Sequence, residues 1–172
     1  MSFFGFKKKI LMSCSAIQLT ATQSISTTIV DISIFDTAII HQVAAASSVG
    51  YPTISTTASQ ITLEAGWKYF IEVKSKVTDS IAPQGNDNFA YWLTNTSDTQ
   101  FSSTGFSSTY SDTIPNRAQE TCIAFVDATA SSFVFKMKAQ KTGSTGSTVE
   151  FNGSADSGNT NFKSHILIKA WR

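Results

Sequence analysis

Two histidines, His41 and His165, and two cysteines, Cys14 and Cys122, are the first places to look for chemistry in this chain. Nucleophilic catalysis needs a Ser or Cys beside a base that a third group orients. No G-x-S-x-G elbow is present, and neither the His nor the Cys spacing matches a zinc motif. The cysteines could pair, but read first as small buried or half-buried residues. Carboxylates are few and scattered. A paired-acid hydrolase is conceivable in principle, for example with Glu72 and Asp98 meeting in space. Gly85-Asn86-Asp87-Asn88 places oxygen ligands close together, as a calcium loop does, yet lacks the fuller ligand series and reads as a polar loop. Asn95-Thr96-Ser97 and Asn152-Gly153-Ser154 match the glycosylation sequon, with little weight in a Ser/Thr-rich chain. The expectation is a protein that is not an enzyme, with no catalytic residue, metal site or cofactor.

Aromatic residues carry more information. Phe101, Phe106 and Tyr110 punctuate a Ser/Thr/Gly-rich stretch. That mixture suits sugar stacking or adaptable protein contacts. It equally suits a long loop tucked onto a core, and loops such as Ser102 to Asn116 are expected to face outward.

The elements that must position these residues are short strands. FKSHILIKAWR alternates up to the last residue, with Ile166, Ile168 and Ala170 on one face and Leu167, Lys169 and Trp171 on the other. Neither face is plainly polar. This predicts a central strand covered on one side by the core and on the other by a neighbour. In ITLEAGWKYFIEVKSKV a short strand and a Glu64-Ala65-Gly66 turn precede a long strand, where Trp67, Tyr69, Ile71 and Val73 alternate with Lys68, Phe70, Glu72 and Lys74. Further strands are read at SAIQLTAT, STTIVDISIFD, NFAYWLTNTS, AQETCIAFVDA, SSFVFKMKAQ and TVEFNG. TAIIHQVAAASS is strand or short helix, and Gly50 to Gln60 reads as an irregular connection.

Composition agrees. The 172 residues suffice for one domain with a real core. Charged residues are only 15% of the chain, with Ser and Thr taking up the difference, and strand formers outweigh helix formers. The class is all-β, a sandwich of about 8–10 antiparallel strands. A formal net charge of +1 argues against a nucleic-acid partner. No window approaches the roughly 18 apolar residues of a membrane span. Lysines followed by Ile10-Leu11-Met12-Ser13-Cys14 imitate a lipoprotein signal, but the apolar stretch is too short, so the chain is expected to be soluble and unprocessed. Residues 1–14 read as an anchoring arm or first strand and 15–172 as the domain. In the arm, Phe3, Phe4 and Phe6 would insert into a partner while Lys7, Lys8 and Lys9 face an acidic surface.

Over roughly residues 55–172 the run of strands resembles complement-type, tumour-necrosis-factor-like jelly rolls, which are frequent among virion proteins of tailed bacteriophages. The I-x-L strand, the x-A-G turn and the aromatic strand at ITLEAGWKYFIEVKSKV carry the likeness. ETCIAFVDA, SSFVFKMKA, a Gly/Ser loop and HILIKAW continue it. The resemblance implies a homotrimer with Tyr91, Trp92, Ile166, Ile168 and Trp171 at the interface. It also implies a structural role on the outer surface of a virion: capsid decoration and stabilisation, or a short head fibre. The partner would be the major capsid protein or another virion protein, docked through the N-terminal segment. The alternative is a tail-fibre tip or adhesin that binds a host glycan or protein.

Overall fold

The computed structural model describes residues 12–19, 23–33, 35–43, 52–75, 77–79, 87–109, 121–142, 149–151 and 164–172. Among them every regular element is a strand: β1 (Met12–Leu19), β2 (Gln23–Ile25), β3 (Val30–Asp31), β4 (Phe35–Val43), β5 (Ile54–Thr56), β6 (Ile61–Leu63), β7 (Trp67–Lys74), β8 (Val77–Asp79), β9 (Asp87–Asn95), β10 (Gly105–Thr109), β11 (Cys122–Ala128), β12 (Phe133–Lys141), β13 (Val149–Phe151) and β14 (His165–Trp171). One sheet runs β11-β7-β14-β1-β4. A second runs β10-β9-β12-β6-β5, with β3 added beside β12, and a small third sheet joins β2, β13 and β8.

The pairing is nested. β1 pairs antiparallel with β14, β6 with β12, β7 with β11, and β9 with β10. Successive pairs alternate between the five-stranded sheet and the second sheet. One long hairpin rolled in this way is a jelly roll.

Each strand shows why it belongs where it is. On β7 the side chains Trp67, Tyr69, Ile71 and Val73 are buried, while Lys68 and Lys74 are exposed. Ile166, Ile168 and Ala170 of β14 meet them in one core with Ile17 of β1 and with Phe89, Tyr91, Leu93, Phe135, Met137 and Ala139 of the second sheet. Full burial of such side chains contributes about 1.5–3 kcal/mol each before entropy is counted. Gly66 takes φ 90° in the turn between β6 and β7, and its N–H donates to the Ala128 carbonyl at 2.9 Å. Only glycine enters that backbone region without strain.

The terminal strand lies where its two apolar faces predict, in the middle of a sheet between β7 and β1. Other readings change. Residues 35–43 are strand, which resolves the strand-or-helix choice at TAIIHQV. The connection read at Gly50 to Gln60 contains β5, hydrogen-bonded to β6. The outward loop expected at Ser102 to Asn116 holds β10, whose pairing with β9 makes it sheet edge. In the segment read as an anchoring arm or first strand, β1 starts at Met12, and residues 12–14 pair with Trp171, Ala170 and Lys169. Residues 1–11 lie outside the described residues.

Candidate functional site

The five-stranded sheet turns one face to the core, and its other face has an unusual make-up. On β11 the small residues Cys122, Ala124, Val126 and Ala128 point inward, while the larger Ile123 and Phe125 point out. Ile123 is 40% exposed and Phe125 is 70% exposed. Phe70, on the charged phase of β7, packs its ring against Phe125 with centroids 5.1 Å apart and planes tilted by 54°. Aromatic pairs favour such tilted contacts over face-to-face stacking.

Register extends the patch across the sheet in rows. Phe125 is level with Phe70, Phe70 with Lys169, and Lys169 with Cys14. One row away run Ile123, Glu72, Leu167 and Ala16. On the opposite side Asp127, Lys68 and Trp171 are level. Phe70, Leu167, Trp171, Cys14 and Ala16 are all half-buried. The result is an apolar surface over four strands, with Phe125 as its most prominent point.

Charges border and interrupt it. Lys68 and Asp127 pair at 3.4 Å, and Glu72, which interrupts the row between Ile123 and Leu167, pairs with Lys74 at 3.4 Å. The Asp127 carboxylate accepts hydrogen bonds from the Thr129 hydroxyl at 2.6 Å and the Thr129 N–H at 3.1 Å. These bonds, with Lys68 adding to them, hold its carboxyl below the usual carboxylate range. The Lys169 ammonium lies inside the patch, 5.6 Å from the Phe70 ring centroid, in cation–π contact.

The residues expected at an interface separate into three places. Trp171 is on this face. Ile166 and Ile168 point the other way and are fully buried within the chain's own core, as is Tyr91 of β9. They have no surface to offer a partner, so their assignment to an interface is corrected. Alternation distinguishes two faces of a strand, but does not say which one meets the opposing sheet. Trp92 is half-buried and absent from the core cluster, on the outer face of the second sheet beside Lys138. Phe3, Phe4, Phe6 and Lys7 to Lys9 lie outside the described residues.

Sequence reasoning did not single out Phe70, Ile123, Phe125 and Leu167 as interface residues. Their signal was a large apolar residue at the solvent phase of a strand whose inward phase was already apolar. Trp171 shared that signal.

Among the described residues the other sequence candidates are spread over both sheets and their turns. His41 pairs across to Ser15, whose partner on β14 is Ile168, three residues along from His165. Cys14 and Cys122 are both free thiols on different faces of the sheet. Burial pushes the Cys122 thiol up, and it donates to the Ser103 carbonyl at 3.2 Å. Glu72 belongs to the five-stranded sheet, whereas Asp98 sits in the turn after β9, beside Lys138 at 3.0 Å and Lys136 at 3.5 Å. The Asn95 side-chain oxygen accepts the Ser97 and Thr99 N–H groups, which fixes that turn. Asp87 and Asn88 open β9, while Gly85, Asn86, Tyr110 and Asn152 lie outside the described residues. Phe101 packs edge-on against Phe133 at 5.0 Å and tucks its loop onto the sandwich. Among the described residues no group of three or more His, Cys, Asp or Glu could hold a metal.

No family model matches the chain. No curated protein matches it significantly. Among solved structures, the Eiger tumour necrosis factor from S. frugiperda aligns over 92% of each chain, at 14% identity and a TM-score of 0.45.

Proposed function

We propose that this chain is a non-enzymatic assembly module whose copies associate, as a homotrimer, through the outer face of the five-stranded sheet. The observation that carries this reading is Phe125, exposed on an edge strand and packed on Phe70, with Ile123 and Leu167 one row away on the same face. Isolated surface apolar residues need no explanation, but a cluster of large apolar side chains interspersed with Glu72 and Lys169 fits an interaction site. Association would remove apolar surface from water at roughly 25 cal/mol per Å2. It would also gather the N-terminal segments of the copies so that they dock with avidity.

The biological setting we propose is the outer surface of a tailed-phage virion, as a capsid decoration protein or short head fibre. This setting rests on the resemblance of the strand and turn pattern. The test adds purified protein to particles lacking it and images them. Regular density on the particles, lost when residues 2–11 are deleted, is the expected result. Binding to host cells or glycans without binding to particles would overturn it. That outcome would favour the adhesin reading, for which Phe106, 44% exposed on β10, and Trp92 on the second sheet offer aromatic surface.

A further inference from the structure

Lys169 poses a problem that the apolar patch alone does not solve. It stands on the central strand of the proposed assembly face, with Phe70 as its neighbour on one side and Cys14 on the other. Among the described residues it makes a cation–π contact and no ion pair. Covering this face with another copy would strip water from the ammonium, and a desolvated charge is costly unless it meets an opposite one.

On β1, β7, β11 and β14 this face carries two carboxylates, Glu72 and Asp127, and they are not equivalent. The Glu72 side chain is only 20% exposed and pairs with Lys74 of its own strand. Asp127 is 59% exposed and held ready by Thr129, with its second oxygen 3.4 Å from Lys68. It lies on the edge strand two residues from Phe125, so it accompanies Phe125 into any contact that Phe125 makes. Within one chain Asp127 and Lys169 are two strands and one row apart, with Lys68 between them. Within the chain Asp127 pairs with Lys68 and Lys169 lies over Phe70, so the two form no pair there.

We infer that in the assembled protein Asp127 of each copy pairs with Lys169 of the next, alongside the seating of Phe125. The inference rests on the assembly reading above and specifies its partner: a second copy, in one orientation. In a closed ring each copy then gives one carboxylate and receives one on its lysine. The pair selects register and excludes arrangements that bring Lys169 against another lysine.

Charge reversal in the full-length chain tests this. Asp127→Lys and Lys169→Asp are each expected to raise the dissociation constant by sedimentation about tenfold or more. The double variant is expected to return to within about threefold of the wild type, because swapping both signs restores the coupling of a pair that meets in the assembly. Circular dichroism and thermal unfolding of each variant confirm folding, and a Lys169→Met variant supplies a charge-free comparison. Oligomers unaffected by the single reversals, or a double variant as weak as the two losses combined, would overturn the pair and leave assembly through this face standing. A wild type that stays monomeric at all concentrations would overturn both.

Discussion

The Tyr91 ring lies directly on Gly105, its register partner across the β9–β10 pair. A Cβ at position 105 would come within 2.4 Å of the ring. Glycine is therefore required there by close approach. Gly105→Ala is expected to destabilise the fold by about 1–3 kcal/mol in urea unfolding, the usual range for overpacking. In a Tyr91→Leu background the same change should cost much less. An equal cost in both backgrounds would locate the strain elsewhere.

The core face and the outer face of β14 should separate stability from assembly. Ile168→Ala removes fully buried volume, so it is expected to cost about 2–5 kcal/mol in unfolding at any protein concentration. Phe125→Asp acts at an exposed site and is expected to cost the monomer only about 0.5–1.5 kcal/mol, the worth of its ring contact with Phe70. It should nonetheless shift sedimentation to the monomer. If Ile168→Ala dissociated a still-stable chain, the core and assembly faces of β14 would be reversed.

That contrast marks how far the sequence was legible. β7 announces itself because four buried residues alternate with Lys68, Phe70, Glu72 and Lys74. β14 declares its central place because neither of its faces is polar. The failure at Ile166 and Ile168 is one of partnership: period-2 alternation names two faces, and only the opposing sheet decides which is the core. β5 and β10 were hidden because Ile54-Ser55-Thr56 and the Gly105 segment carry one or two apolar side chains in a Ser/Thr background. Their strand character comes from hydrogen bonds to β6 and β9, which local composition does not encode. Phe125 escaped notice because its neighbours on the buried phase, Ala124 and Val126, are smaller than it is.

Asp31, Asp98, Lys136 and Lys138 form a clasp on the second sheet, with Lys138 2.9 Å from Asp31 and 3.0 Å from Asp98. The hydrogen bond from Lys138 is the main reason the Asp98 carboxyl is held below its ordinary value, and hydrogen bonding to Asp31 is the main reason the Lys138 ammonium is held above its own. The signs follow by linkage. Stability from Asp98 is fully present above its unfolded value, about 4, and is lost as pH falls through the lowered folded value. Stability from Lys138 is present below its unfolded value, about 10.4, and is lost as pH rises through the raised folded value. Denaturation between acid and neutral pH should therefore show an acid limb that Asp98→Asn flattens. The effect is expected to be small and to shrink in salt, because Asp98 is at the surface. An acid limb unchanged by Asp98→Asn would assign the acid loss to other carboxylates.

The two thiols should report the two faces of the five-stranded sheet independently. Cys122 is fully buried, its thiol pushed up by burial and held between Ser102 and Ser103. The thiolate is the nucleophile, so alkylation of Cys122 in the native protein is expected to wait for unfolding. Cys14 is half-buried on the outer face, in the row that continues through Lys169 and Phe70 to Phe125. A small alkylating reagent followed by mass spectrometry should modify Cys14 in dilute Phe125→Asp protein well before Cys122. In concentrated wild type, assembly through this face should slow Cys14 by about tenfold or more if its Kd is far below the protein concentration. Equal Cys14 rates in the assembled wild type and the monomeric variant would mean that the copies meet on some other surface.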